Sequence, residues 1–248
     1  NNLKINVIKE TAKIKRLSPL ITLKKARINS HEVTKNDIFF AIKGKKNDGN
    51  KFVAQYFKRK ASLAVVNKIQ NKLNHSRQIK VKNTLKFLTN VSKIFRKSID
   101  TNIIAITGSC GKTTLKELLG NTFNKISKVS ISPKSYNNKF GVPLSLFNIN
   151  QKDEFGIREV GMDKKGEIDY LSKIIEPDVG VITNINYAHA KNFKNIKQIA
   201  LAKSEIIDNI RLYGFIVLNA DDSFFKLHYN IAKKKNIKVI SFGIKNHK

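Results

Sequence analysis

The most constraining feature of this chain is a junction near its middle. The apolar run Asn102-Ile103-Ile104-Ala105-Ile106-Thr107 passes into Gly108-Ser109-Cys110-Gly111-Lys112-Thr113-Thr114 and opens the helix-like stretch Thr113 to Phe123. A strand thus feeds a glycine-rich turn that feeds a helix start, and that order of elements is a phosphate grip. Backbone amides in such a turn point inward without side-chain obstruction, and the helix start adds partial positive charge. A Lys at the position of Lys112 reaches the outer phosphates, and a Thr hydroxyl can ligate magnesium. The expected ligand is a nucleoside triphosphate, with Gly108, Ser109, Cys110, Gly111, Lys112, Thr113 and Thr114 as its contacts. The spacing departs from the general pattern, which has its first Gly five residues before the Gly-Lys pair, where this chain has Ile106; Gly108 lies only three before Gly111. A glycine turn that binds nothing is the competing reading.

With 248 residues the chain can bury a good core and form one large or two modest domains, and two are expected. The formal charge of +30 would ordinarily suggest a polyanion as partner. Here Lys is spread along the whole length beside abundant Asn and Ile, which reads as a compositional bias on solvated faces. Cys110 is the single cysteine, so an internal disulfide framework and a Cys-based zinc site are excluded and a reducing compartment fits. No apolar stretch approaches the roughly 20 residues that span a bilayer, and the N-terminus lacks the apolar core of a secretion signal. A cytoplasmic location is the expectation. The chain starts at Asn1 without an initiator Met and stops soon after a strand-like run, so a fragment is expected.

The first part carries strand candidates at Asp37 to Ile42 and Ser62 to Val66. The turn-rich Gly44 to Asn50 and a helical stretch from Lys51 to Arg59 separate them, which suggests a small mixed α/β domain. From about Lys82 to Ser98, Leu85, Leu88, Val91 and Phe95 recur at three or four, the spacing of one helix leading into the phosphate-loop strand. Beyond the loop, strand candidates Phe155 to Val160, Val179 to Ile185, Phe215 to Asn219 and Val239 to Phe242 alternate with helical segments. That alternation argues for a largely parallel sheet flanked by helices. The fold class expected is therefore α/β: a small mixed N-terminal domain, then a P-loop central domain. The boundaries read as 1–84 for the first domain, 85–101 for a linking helix and 102–248 for the second.

Ligands of such sheets sit beyond the carboxyl ends of the strands, where three further polar residues fall. Glu159 shares parity with Phe155 and Ile157, which puts a carboxylate on an otherwise apolar face, and a buried carboxylate needs a partner. His189 follows the strand from Val179 by a short segment and is either a metal ligand or an ordinary loop histidine. Lys203 projects from an apolar helical stripe made by Ile196, Ile199, Ala200, Ile207 and Ile210. Burial there would leave a neutral, nucleophilic amine; the alternative is a lysine that snorkels or pairs with a carboxylate such as Glu159. The segment Ser135-Tyr136-Asn137-Asn138-Lys139-Phe140-Gly141-Val142-Pro143 supplies amides that can orient a phosphate or a substrate carboxylate, or simply make a turn.

Together these segments resemble the Mur ligase family. The stretches that carry the resemblance are Thr107 to Thr114, Ser135 to Leu144, Glu159-Val-Gly-Met with Gly166-Glu-Ile168, Thr183 to His189, and Ala202-Lys-Ser-Glu-Ile206. Asp37 to Gly44 and Asp48-Gly49 extend it into the first domain, so it covers most of the chain. The paired Asn with Gly-Val-Pro and the Glu-x-Gly-Met segment favour the dipeptide-adding branch. The resemblance implies an ATP-dependent ligation in cytoplasmic peptidoglycan precursor synthesis. ATP would phosphorylate the terminal carboxylate of UDP-N-acetylmuramoyl-tripeptide, and the amine of D-alanyl-D-alanine would attack the acyl phosphate. It also implies that Lys112 holds the outer phosphates, that Asn138 joins the loop in nucleotide binding, and that Thr113 and Glu159 hold a first Mg2+. His189 would support a second Mg2+, and Lys203 would be carbamylated and help position the metal-bound substrate, so that Lys112, His189 and Lys203 form the catalytic set. A monomer without membrane or specific nucleic-acid partner is expected.

Asn29-Ser30-His31 stands where the family usually has Asp-Ser-Arg, and Ala190-Lys191 where Leu-Glu often follows the histidine. The family's third, C-terminal domain would lie beyond Lys248, so the central domain reads as incomplete and the chain as inactive alone. Two other readings compete. A folylpolyglutamate synthetase-like ligase shares the loop but lacks a dedicated UDP-binding domain, and residues 1–84 speak against it. A basic nucleic-acid-binding protein with a vestigial P-loop would instead show steep, salt-dependent affinity for duplex DNA and no ATP binding.

Overall fold

The computed structural model describes residues 3–14, 17, 21–44, 47–134, 136–187 and 192–245. The chain divides into two compact units, Asn1–Ser98 and Ile99–Lys248. In the first, helix α1 (Leu3–Ala12) is followed by strands β1 (Ala26–Arg27) and β2 (Ile38–Phe40), helix α2 (Val53–Lys58), strands β3 (Leu63–Val66) and β4 (Gln78–Lys80), and helix α3 (Thr84–Lys97). The four strands pair in parallel in the order β1-β2-β3-β4. Phe39, Ala41, Tyr56, Ala64 and Val66 form the core on one face of this sheet. The Asn83 side chain caps α3 by accepting from the Lys86 amide at 2.8 Å, and its stripe of Phe87, Leu88, Val91 and Phe95 is buried. That cap satisfies one of the amides every helix start leaves open, so the helix begins where the sequence places an Asn.

The second unit runs β5 (Asn102–Thr107), α4 (Lys112–Phe123), β6 (Val129–Ile131), α5 (Gly141–Phe147), β7 (Phe155–Glu159), α6 (Glu167–Ile175) and β8 (Val179–Ile182). It continues with α7 (Ile196–Ser204), β9 (Phe215–Asn219), α8 (Phe225–Lys234) and β10 (Lys238–Phe242). Its six strands are all parallel, ordered β10-β9-β8-β5-β7-β6. Alternate residues Ile104, Ile106, Ile157 and Val181 bury one sheet face against Leu115, Leu119 and Phe123 of α4, as the two-residue period of a strand requires. Arg158, of opposite parity to Glu159, is fully buried and donates to the carbonyls of Ser130, Ile157 and Ser145 and to the Ser130 hydroxyl. Burial lowers its pKa to about 9.

Two expected elements end early. The strand expected from Val179 to Ile185 stops at Ile182, because Thr183 and Asn184 turn aside to bond the glycine loop. The single helix expected to carry the stripe from Ile196 to Ile210 ends at Ser204 and tightens into a 3-10 turn over Glu205–Asn209. Ile199, Ala200, Lys203, Ile207 and Ile210 are nevertheless all buried, since a shift from 3.6 to about 3 residues per turn rotates the stripe only modestly over so short a stretch.

Candidate functional site

Strand β5 lies between β7 and β8: the chain lays β6 and β7 on one side of it, then crosses to lay β8, β9 and β10 on the other. Carboxyl ends flanking such a reversal form a crevice. Here β5 delivers Gly108 to Thr114, β7 delivers Glu159, and β8 delivers Thr183 and Asn184. The glycine loop is stapled to the end of β8. Thr183 Oγ1 donates to the Cys110 carbonyl at 2.7 Å, the Ser109 amide to the Asn184 carbonyl at 3.0 Å, and the Cys110 amide to Asn184 Oδ1 at 3.0 Å. Ser109 Oγ also donates to the Asn186 carbonyl at 2.9 Å. Amides of such a glycine turn are expected to point inward toward the ligand. Here Asn184 occupies the amides of Ser109 and Cys110, and the first-turn amides of α4 are the donors that helix geometry leaves without intrahelical acceptors.

Gly108 has φ +147° and Gly111, the helix cap, φ +79°. A Cβ on Gly108 would lie 1.9 Å from Thr183 Oγ1, so both the backbone angle and the space require glycine. Gly108→Ala is expected to cost the second unit about 2–4 kcal/mol and to abolish nucleotide binding. Thermal denaturation and titration with ADP check both; an Ala variant with unchanged melting temperature contradicts the staple.

Glu159 is 2% exposed. One of its carboxylate oxygens accepts from Thr113 Oγ1 at 2.8 Å and the other from Asn137 Nδ2 at 2.8 Å. A hydroxyl and a carboxylate side by side are hard oxygen donors, the set that suits Mg2+. Among the described residues no group of three or more His, Cys, Asp or Glu could hold a metal. An ion here would take its remaining ligands from water and substrate phosphates, as magnesium commonly does. The residues present therefore fit the ion. His189 lies outside the described residues.

Lys203 is 2% exposed, and its Nζ donates to the Gly108 carbonyl at 2.9 Å. Lys112 Nζ donates to the same carbonyl at 2.8 Å and to that of Ser109 at 3.4 Å. Neither lysine forms an ion pair among the described residues, so the pairing with Glu159 considered for Lys203 is not made. Burial, and then the neighbouring Lys112 charge, push the Lys203 pKa down to about 7, opposed by Cys110. Two lysines meeting on one neutral oxygen, with Lys112 charged and Lys203 poised between its charged and neutral forms, leave a cationic excess beside the open amides of α4, an arrangement complementary to a polyphosphate tail. A cavity of about 620 Å³ opens beside them, lined among others by Lys112, Asn137, Asn138, Met162, Tyr170 and Lys203. Asn138 borders it while its side-chain oxygen accepts from the amides of Phe140 and Gly141, both at 3.0 Å, which starts α5. Thr114 is exposed on the first turn of α4. Sequence reasoning missed Asn184 as the loop's staple and Asn137 as the partner of Glu159; both contacts join segments distant in sequence.

The sequence model of the Mur ligase middle domain matches residues 106–248. The chain belongs to the Mur ligase family. Among curated relatives, the UDP-N-acetylmuramoyl-tripeptide--D-alanyl-D-alanine ligase of Buchnera aphidicola subsp. Acyrthosiphon pisum is 34% identical over 223 residues, which is 89% of this chain and 48% of that protein. A crystal structure of the Mur ligase MurF from Acinetobacter baumannii superposes with a TM-score of 0.84 at 30% identity, over 97% of this chain and 53% of that one. MurF from Thermotoga maritima, solved in complex with ADP, gives 0.74 at 27% identity over 93% and 52%. The chain thus spans about half the length of the Mur ligases it matches.

Proposed function

We propose that the protein is an ATP-dependent, ADP-forming ligase that joins D-alanyl-D-alanine to UDP-N-acetylmuramoyl-tripeptide in cytoplasmic peptidoglycan precursor synthesis. The observation that carries this reading is the meeting of Lys112 and Lys203 on the Gly108 carbonyl, beside the Thr113–Glu159 pair. The names of the relatives supply the ligated substrates, and the ADP complex of a related MurF supports the nucleotide. ATP would transfer its γ-phosphoryl group to the tripeptide's terminal carboxylate, turning a poor leaving group into a good one. The D-alanyl-D-alanine amine would then displace phosphate. The protein's part is positioning and charge neutralisation. Lys112 and the first-turn amides of α4 would bind the outer phosphates, with Asn138 contributing from the cavity wall.

Thr113 and Glu159 would hold Mg2+, with His189 supporting a second ion; the ions supply Lewis-acid neutralisation of phosphate charge. A neutral Lys203 amine can add carbon dioxide with loss of a proton, giving a carbamate whose negative charge would anchor the substrate side of the site. The 1–84 segment would bind the UDP-linked substrate. A cavity of about 630 Å³ there, lined by Lys43, Lys51, Lys68 and Lys82 with Asn50 and Asn67, offers cations for a diphosphate and amides for a base. Residues 85–101 would link it to the ATP-binding 102–248, and the protein would act as a monomer.

Phosphate release by the intact protein tests the reading. Release is expected only when ATP, magnesium, UDP-N-acetylmuramoyl-tripeptide and D-alanyl-D-alanine are all present. Release that depends on a folate and glutamate instead overturns it.

A further inference from the structure

Lys203 sits in the last turn of α7, and the helix tightens to a 3-10 turn two residues later, at Glu205. Two positions along a helix are about 200° apart, so Glu205 faces away from Lys203, and its carboxylate reaches a different element. Both of its oxygens accept from the Gly166 amide, at 2.9 and 3.1 Å, and one also accepts from the Asp169 amide at 3.1 Å. Gly166 is the cap residue of α6, has φ +87°, and has no side chain with which to cap its own helix. The start of α6 is therefore capped by a residue 39 positions away, on the segment that carries Lys203. A second strut runs parallel: Asn209 Nδ2 donates to Asp169 Oδ1 at 3.0 Å and to Ser172 Oγ at 2.9 Å.

The loop preceding α6 is firm in itself, because Glu167 Oε2 accepts from the amides of Asp163 and Lys164 at 2.6 and 3.2 Å. Residues 161–167 line one wall of the cavity beside the phosphate loop, and Lys203 lines it as well. This same loop leaves the end of β7 only two residues after Glu159. One carboxylate thus ties the lysine's segment to the segment that follows the strand of Glu159.

We propose that Glu205 is a positioning residue: by capping α6 from the Lys203 segment, it fixes where the Lys203 side chain stands across the cavity from residues 161–167. The proposal rests on the ligase reading for its effect on turnover, and on geometry alone for its effect on Lys203. Glu205 is only half-buried, and desolvation raises its pKa against the lowering by its amide bonds. The carboxylate accepts three contacts from two amides; Gln can keep an acceptor in the place of Oε2, but in the place of Oε1 it sets an N–H against the Gly166 amide, the shortest of the three.

The test is Glu205→Gln in the intact protein, read in two ways. The kcat for phosphate release is expected to fall roughly ten- to hundred-fold, as for lost supporting contacts elsewhere, with the ADP dissociation constant within about twofold of the parent. Labelling of Lys203 by an N-hydroxysuccinimide ester, done on parent and variant freed of carbon dioxide so that both carry the unmodified amine and quantified by peptide mass spectrometry, is expected to rise. A cap that serves stability alone lowers the melting temperature while leaving kcat and Lys203 labelling at parental values, and that result overturns the proposal. If the parent itself releases no phosphate, the ligase reading fails, and labelling alone decides whether Glu205 places Lys203. Should the Gln variant not fold, Glu205→Asp, whose shorter arm withdraws the acceptors but keeps the charge, is read in the same way.

Discussion

Replacing Lys203 with Met lowers kcat of the intact protein by about two to three orders of magnitude and raises its melting temperature. The two effects have one cause. Lys203 has 2% of its surface exposed, and its pKa falls from the ordinary 10.5 to about 7, first by burial and then by the Lys112 charge. With the lysine unmodified, in protein kept free of carbon dioxide, the unfolded chain holds that proton up to about pH 10.5 and the folded chain only to about pH 7, so folding releases a proton between those values. Stability therefore rises with pH across the window, and the full cost of the buried charge is felt below pH 7. That cost is on the order of a few kcal/mol. Met removes it, and the Gly108 carbonyl keeps its bond from Lys112. At roughly 2–4 °C per kcal/mol for a chain of this size, the Met variant should melt several degrees higher at pH 6.5 and show no advantage at pH 10.5. A gain of equal size at both pH values contradicts the ionisation argument, and unchanged kcat contradicts the role of the lysine. A residue that costs stability in this way is retained for function.

Glu159→Gln is expected to lower kcat by a further comparable margin, about two to three orders of magnitude, without unfolding the protein. Gln keeps the shape and can still accept from Asn137, so the end of β7 stays in register; what is lost is the negative charge beside Thr113. The ADP affinity measured without magnesium should be unchanged, while the strengthening that magnesium brings should weaken and need a higher ion concentration. Loss of affinity that is the same with and without magnesium contradicts the assignment of Glu159 to the ion, because it points to a general disturbance of the loop.

What the sequence made legible was local. The run from Asn102 to Phe123 declares its strand, turn and helix because glycines and a helix cap act over a few residues. The 3.6-residue period exposes Lys203 because a charge stands out against isoleucines. The cap of α6 was not legible, since Glu205 supplies it from 36 and 39 positions away. The early end of β8 depends likewise on bonds from Thr183 and Asn184 to a loop more than 70 residues earlier. Asn137 reads as turn chemistry until β7 brings Glu159 to it. Strands β1, β4 and β6 are only two or three residues long, too short for a period of two to show.

Electron density for the protein crystallised with magnesium and a non-hydrolysable ATP analogue tests the central claim most directly. The account predicts the outer phosphates against Lys112 and the first turn of α4, an ion bonded to Thr113 and Glu159, and a carbamate extending Lys203 into the same cavity. An analogue bound elsewhere, or an unmodified Lys203 turned to solvent with no ion at Glu159, would contradict it.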